Sequence, residues 1–440
     1  MSALTIGFLS FPVLVLLIFI RIPIALAMFL VGFFGNFLVR GSFTPIFSQL
    51  KDLTFSTFSA YSLSIIPLFL LMGNLATIGG MSASLFKAAQ AWLGHKPGGI
   101  AMAAIGACAG FGAVCGSSLA TAATMGKVAL PELKRYGYSN ALASGALAAG
   151  GTLGILIPPS VILVIFAILA QVNVAKLFVA AIIPGIIAVL GYMLAIRIYV
   201  YFSPESAGSA QRQPYNVRFL ALLDIWPVLL VFFVVIGGIY SGVFTPTEGA
   251  AIGAVGTGLI AVFSGRLNFS ALTGAILETA SATAMIFLII FGAAVLNGFL
   301  ALSGAPQAMA RFIGEQGYSP WMVLVAILLL YLVLGTLMDS LSMILLTIPI
   351  FYPIVTQLDF GLSDAEFALW FGVLVLVVVE VGLITPPVGL NLFVINKMAA
   401  DTSLSNTYYG VLPFVVSDIL RIVLLLVFPA ISLFLVRLLT

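Results

Sequence analysis

The sequence predicts an all-α polytopic membrane protein made of two similar halves. Three observations predict it. Of the 440 residues, 62% are hydrophobic and only 7% charged, whereas soluble domains carry roughly 25% charge. Apolar runs recur at the roughly 20-residue length that a helical span of a bilayer needs. The strongest helix-breaking signals occur once in each half, as "GILIPPS" from Gly154 and "GLITPPV" from Gly382.

Taken in chain order, residues 1–60 read as apolar helices. The opening "MSALTIGFLSFPVLVLLIFIR" lacks a basic start and a small-residue cleavage site, so it reads as a retained helix rather than a signal peptide. A first repeat runs over 61–202, followed by a polar linker, 203–218. Further helices cover 219–284, and a second repeat covers 285–440. Gly73 and Gly79 in "LMGNLATIGG" match Gly298 and Gly304 in "LNGFLALSGA", both 225 residues on. Gly154, Pro158 and Pro159 match Gly382, Pro386 and Pro387, all 228 residues on. Pro184 roughly matches Pro413. Paired Pro/Gly-interrupted apolar segments in two halves point to a transporter binding site.

Within each repeat, one apolar segment is too long for one span and too short for two, which need roughly 40 residues plus a turn. These segments are about 96–135, centred on "GFGAVCGSSLATAAT", and about 318–358, centred on "GTLMDSLS". Each fits a re-entrant hairpin with a Gly/Ser tip, Gly112 being equivalent to Gly335. Non-helical backbone at that depth is tolerated only where protein buries it or it lines a wet cavity.

Lys87, His95, Lys96, Lys134 and Arg135, against Glu132 alone, flank the first hairpin, whereas Arg311, Glu315, Asp359, Asp364 and Glu366 flank the second. The positive-inside rule puts the first mouth in the cytoplasm with the linker, which is bordered by Arg197, Arg212 and Arg218, and the second mouth outside. The repeats are therefore expected to be inverted.

Each proline pair, at 154–160 and at 382–388, is expected to end one half-helix and open another, with proline in the new first turn. The half-helix that ends leaves carbonyls for a cation. The one that begins offers N–H groups to an anion. Polar residues inside spans are functional suspects: Ser117, Ser118, Thr121, Thr124 and Ser160 in the first half, and Asp339, Ser340, Ser342, Glu380, Thr385 and Asn391 in the second. Asp339 is the only acid in its hairpin's apolar run and has no Lys or Arg nearby, which calls for sodium or a proton. Glu380 reads either as facing a wet cleft or as a helix contact. Thr245, Pro246 and Glu248 in "GVFTPTEGAAIGA" fit a helix-capping box and by themselves indicate no chemistry.

Several classes are disfavoured. Lys and Arg are dispersed, with no basic run for nucleic acid. Cys108 and Cys115 sit in Gly/Ala-rich apolar sequence and read as packed residues rather than a disulfide or zinc site. There is a single His, and no G-x-S-x-G or Walker A pattern. No base lies near Ser117 or Ser118 to make either a nucleophile, so an enzyme is not expected.

Together "GFGAVCGSSLATAATM", "GILIPPSVIL", "GVFTPTEGAA" and "GLITPPVGLNLFV" resemble the large membrane subunit of tripartite ATP-independent periplasmic (TRAP) transporters along essentially the whole chain. The resemblance implies an elevator-type secondary transporter of the bacterial inner membrane. In it, the hairpins and broken helices slide against scaffold helices at 1–60 and 219–284. It implies coupling sodium ions and no organic cofactor. A soluble extracytoplasmic binding protein would deliver a small organic acid, such as a C4-dicarboxylate, sialic acid or similar carboxylate. A small four-helix membrane subunit would complete the scaffold, and as no such portion is seen at either end, a separate partner embedded with it in lipid is expected. Carried over by motif position, sodium would involve Gly112, Gly116, Ser117, Gly154 and Pro158 in one site. The other would involve Gly335, Asp339, Ser340, Gly382 and Thr385. The substrate would meet Ser117, Ser118, Thr121, Ser160 and Asn391. No arginine lies in these motifs, so helix N-termini and sodium are expected to supply the positive field. The alternative is a stand-alone ion-coupled carboxylate carrier of related architecture.

Overall fold

The structure, a computed structural model, describes residues 1–399 and 401–439; positions 400 and 440 of the expected second repeat lie outside the described residues. Three helices come first: α1 (Ala3–Phe19), α2 (Ile24–Arg40) and α3 (Thr44–Phe58). Then follow α4 (Ile65–Ile78), α5 (Met81–Leu93), α6 (Gly99–Cys115), α7 (Ser118–Arg135), α8 (Asn140–Leu156), α9 (Val161–Leu169) and α10 (Val174–Phe202). After the linker come α11 (Tyr215–Leu223), α12 (Trp226–Tyr240) and α13 (Pro246–Phe263). The order of α4 to α10 then recurs as α14 (Phe269–Ser303), α15 (Ala305–Glu315), α16 (Pro320–Gly335), α17 (Ser340–Val355), α18 (Asp364–Gly382), α19 (Leu390–Met398) and α20 (Leu404–Val427). Helix α21 (Ala430–Leu439) follows.

Local chemistry explains the ends of these helices. Ser117, Ser139, Ser160 and Asp339 each accept a backbone N–H three residues on, as N-caps of α7, α8, α9 and α17. The capping box of Thr245 and Glu248 is formed, with Pro246 opening α13. Each hairpin is two short helices joined at a tight tip. Gly116, at φ +65°, supplies the left-handed residue that turns the first.

Three details differ from the sequence expectation. Residues 284 and 285, taken as a boundary, lie inside the single 35-residue helix α14, whose apolar character carries no stop signal there. The last four residues of the linker, Tyr215 to Arg218, already belong to α11, opened after Pro214. The proline pairs sit between the half-helices rather than in the new first turn. A proline disfavours the helical region for the residue before it, and Ile157 is extended; the new helices begin only after extended Ser160 and left-handed Gly389, the caps of α9 and α19. Both Pro–Pro bonds are cis.

The halves interlock. Helix α2 lies along α14, where a Cβ on Gly32 would stand 2.7 Å from the Leu296 nitrogen. Helix α13 lies along α4, with Gly253 against Met72. At the centre α8 and α18 are buried nearly throughout. Outside, Ile186, Leu190, Leu194 and Ile198 of α10 and Leu412, Val416, Leu420 and Val423 of α20 are exposed. Exposed apolar stripes at helical spacing are what a lipid-facing surface requires. Among the described residues six helices are long and apolar enough to cross a membrane, or up to eight if each bent pair is one span.

The linker folds back onto the mouth of the first hairpin. Ala210 N donates to Gly94 O and Ser139 N to Ser206 O, both 2.9 Å. Arg218 Nη2 lies 3.5 Å from His95 Nδ1, and Lys87 pairs with Asp224 at 3.6 Å. The two basic regions thus share one end of the molecule.

Candidate functional site

The two hairpin tips and two breaks converge. In each half, the hairpin helix meets the broken helix glycine to glycine. A Cβ on Gly112 would collide with Gly154 Cα, and a Cβ on Gly382 would stand 2.6 Å from the Cα and carbonyl carbon of Gly335. Only glycine lets backbones approach this closely, so these four positions bring carbonyl-rich backbone of tip and break together.

The proline pairs determine which carbonyls are left over. In an unbroken helix, Gly154 O and Ile155 O would accept from residues 158 and 159. Both are prolines without an N–H. The carbonyls of Gly154, Ile155 and Leu156 accept no hydrogen bond among the described residues. Ser117 O lies beside them: a Cβ on Gly154 would stand 2.7 Å from it and collide with Thr121 Oγ1. Thr121 is fully buried, and among the described residues its hydroxyl has only the weakly polar Cys115 thiol beside it. Three carbonyls without donors, beside Ser117 O, which accepts from Thr121 N at 3.0 Å, suit a hard cation.

In the second half Pro386 and Pro387 remove the matching donors for Gly382 O and Leu383 O. These are partly replaced: Thr385 N donates to Gly382 O and Asn391 N to Leu383 O, both at 3.1 Å. Thr385 Oγ1 donates to Val381 O at 2.6 Å. Gly389 N donates to Thr336 O at 3.2 Å, tying this break to its hairpin tip. The first break is buried, while Pro386 and Pro387 are exposed.

Between the tips lies a cavity of about 200 Å³. It is lined by Gly116 to Leu119 of the first tip and Asp339 to Leu341 of the second. Val161 and Ile162 of α9, Leu70 of α4 and Ala282 and Ile286 of α14 complete it with Ile155. Among the described residues no Lys or Arg lines it. Six of the liners are the first two residues of α7, α9 and α17. The N–H groups of Ser118, Leu119, Val161, Ile162, Ser340 and Leu341 find no acceptor among the described residues. Three positive helix ends, each equivalent to roughly half a charge, therefore face one cavity.

Behind the tips is a buried polar chain. Glu380, fully buried on α18, accepts from Ser118 Oγ at 2.7 Å and from Ser340 Oγ at 2.6 Å, one hydroxyl on each carboxylate oxygen. Asn391 Nδ2 donates to Ser118 Oγ at 3.0 Å and to Ala148 O at 3.3 Å.

Of the residues singled out in sequence, Gly116, Ser117, Ser118, Asp339 and Ser340 line the cavity. Gly112, Gly154, Gly335 and Gly382 form the two glycine contacts. Thr121 faces the first break and Asn391 stands behind Ser118, neither of them lining the cavity. Ser160 caps α9, and Pro158 and Thr385 lie in their breaks. Asp339 caps α17 through Ser342 N at 3.0 Å, so the helix end supplies part of the positive field that its isolation called for. The role of Glu380 as a joint between tips, and the cavity walls from Leu70, Ala282 and Ile286, were not foreseen. A lone acid in "VLVVVEVG" was the only signal for the former, and apolar walls give none.

Matched hairpins and broken helices that bring hydroxyls, a carboxylate and helix ends to one cavity in an all-α polytopic chain define the architecture of a membrane transport protein. Residues 11–431 match the family described as tripartite ATP-independent periplasmic transporter, DctM component, and the chain belongs to that family. It is 37% identical over 381 residues, 86% of this chain and 87% of the relative, to the C4-dicarboxylate TRAP transporter large permease protein DctM of Pseudomonas aeruginosa. Identity to the Rhodobacter capsulatus protein of the same name is 33%, with all of both chains covered. The Haemophilus influenzae sialic acid TRAP transporter permease protein SiaT is 29% identical, with 98% of this chain and 68% of that protein covered. Among solved structures the fold resembles the Alcanivorax borkumensis YdaH transporter, with a TM-score of 0.64 and 15% identity over 89% of this chain and 90% of that one. The chain is a multi-pass permease component of the bacterial inner membrane and not an enzyme.

Proposed function

We propose that this chain is the large permease of a sodium-coupled importer of a small organic acid. A soluble extracytoplasmic protein delivers the acid, and the cavity passes from one side of the membrane to the other by elevator movement. One observation carries the reading: among the described residues, three helix N-termini with unpartnered N–H groups line a cavity that has no basic side chain. Such ends bind carboxylates without a fixed cation. Sodium supplies the remaining positive charge. The Gly112–Gly154 and Gly335–Gly382 contacts, with the donor-free carbonyls of the first break, support one cation at each tip. The basic end formed by the linker and the first hairpin mouth faces the cytoplasm, which leaves the second hairpin opening outward. C4-dicarboxylates and sialic acid, named for the relatives, are the acids to try first. A cavity below the roughly 300 Å³ typical of drug-sized sites favours the shorter acid.

The test is reconstitution of this chain with its small membrane subunit in proteoliposomes. Radiolabelled succinate and N-acetylneuraminate would be offered with and without the binding protein. Uptake is expected only with an inward sodium gradient and the binding protein together. Equal uptake when choline replaces sodium would overturn the coupling, and uptake without the binding protein would establish the stand-alone carrier instead.

A further inference from the structure

We propose that Glu380 is a positioning residue that ties the two hairpin tips into one unit, so that a change at either tip is transmitted to the other across the repeats. Ser118 and Ser340 are equivalent: each is the first residue of the second helix of its hairpin, and each lines the cavity. Their hydroxyls donate to opposite oxygens of one carboxylate, at 2.7 and 2.6 Å. Ser340 and Glu380 lie in the same repeat. Ser118 lies 262 residues from Glu380, in the other.

The arrangement has no counterpart in the first repeat. The position matching Glu380, at the spacing that relates Gly154 to Gly382, is Thr152. Thr152 points away from the tips: its hydroxyl donates to Ala149 O at 2.7 Å and lies 2.9 Å from the Tyr192 hydroxyl. Two tips therefore share a single acceptor. Hydrogen bonds out of water are stronger than the same bonds in water. The starts of two helices, positive at those ends, also favour the carboxylate between them. Losing one serine leaves a carboxylate oxygen buried and unpaired, which loosens the joint that holds the other tip.

Hydrogen–deuterium exchange of the full-length protein in nanodiscs, with sodium and no substrate, tests this. Glu380→Ala is expected to speed exchange about tenfold, the effect of about 1.4 kcal/mol, in peptides covering 116–122 and 338–344 alike. Glu380→Gln keeps one acceptor and gains a donor for a serine oxygen, so it is expected to restore most of the protection at both tips. Ser340→Ala is expected to loosen 116–122, and Ser118→Ala to loosen 338–344. These two single-atom deletions test the joint even where Glu380→Ala fails to fold. Faster exchange confined to the mutated hairpin, or no rescue by glutamine, overturns the proposal. The readout needs no substrate, so failure here leaves the transport reading standing, and failure of uptake leaves this one.

Discussion

At the scale of single residues, Asp339 combines two tasks that a substitution can separate. Its carboxylate caps α17 through Ser342 N and lines the cavity without a basic neighbour in the lining. Asparagine caps helices about as well as aspartate, so Asp339→Asn keeps the helix start and removes only the charge. Thermal stability of this variant in potassium buffer is expected to stay within a few degrees of the parent. Sodium at half-saturation of uptake is expected to rise at least about tenfold, the effect of losing about 1.4 kcal/mol of binding. An unchanged sodium dependence would remove Asp339 from the ion site and leave it a helix cap. The glycines are less forgiving. Gly154 has Ser117 O, Thr121 and the Gly112 backbone around it, so any side chain there would part the tip from the break.

At the scale of elements, the breaks follow from two missing donors. Pro158 and Pro159 stand where Gly154 O and Ile155 O need an N–H, and a buried carbonyl left without a donor costs about 1–3 kcal/mol. A sequence that retains such a cost in the middle of a membrane has a use for those oxygens. Replacing both prolines by alanine lets α8 run on and pair its carbonyls. The double variant is expected to melt at the same temperature or higher, and to lose sodium-dependent uptake by at least about tenfold, as for a site short of one ligand worth 1.4 kcal/mol. Retained uptake with parental sodium affinity would make the break a packing feature only. Elements of this kind are legible in the sequence. Proline, glycine and capping serines act over one turn, so the hairpins at 99–135 and 320–355 and both breaks stand where local chemistry puts them. Where no local signal exists the sequence is silent: nothing within α14 marks residue 284, and it is one helix from Phe269 to Ser303.

At the scale of the whole molecule, the site depends on contacts that no local pattern encodes. Ser118 reaches Glu380, Asn391 reaches Ala148, and α4 and α14 close the cavity from outside the hairpins. Motifs named the tips and breaks, but only the folded chain brings one carboxylate to both. The interlocking of α2 with α14 and of α13 with α4 makes a frame from both halves, and the proposed elevator movement requires the tips and breaks to move against it as a body. Two cysteine pairs would locate the sliding boundary, with Cys108 and Cys115 replaced by alanine. Phe29 and Phe291 stack at 5.9 Å between α2 and α14, both in the frame, so a cross-link between cysteines at these positions is expected to leave uptake intact. Ile286 of α14 and Leu341 of α17 both line the cavity. A short bifunctional thiol reagent bridging cysteines there is expected to stop uptake, and cleavage of the bridge to restore it. If the first link blocks transport, α2 and α14 themselves move apart. If the second leaves transport running, the tip and α14 travel together and the boundary lies elsewhere.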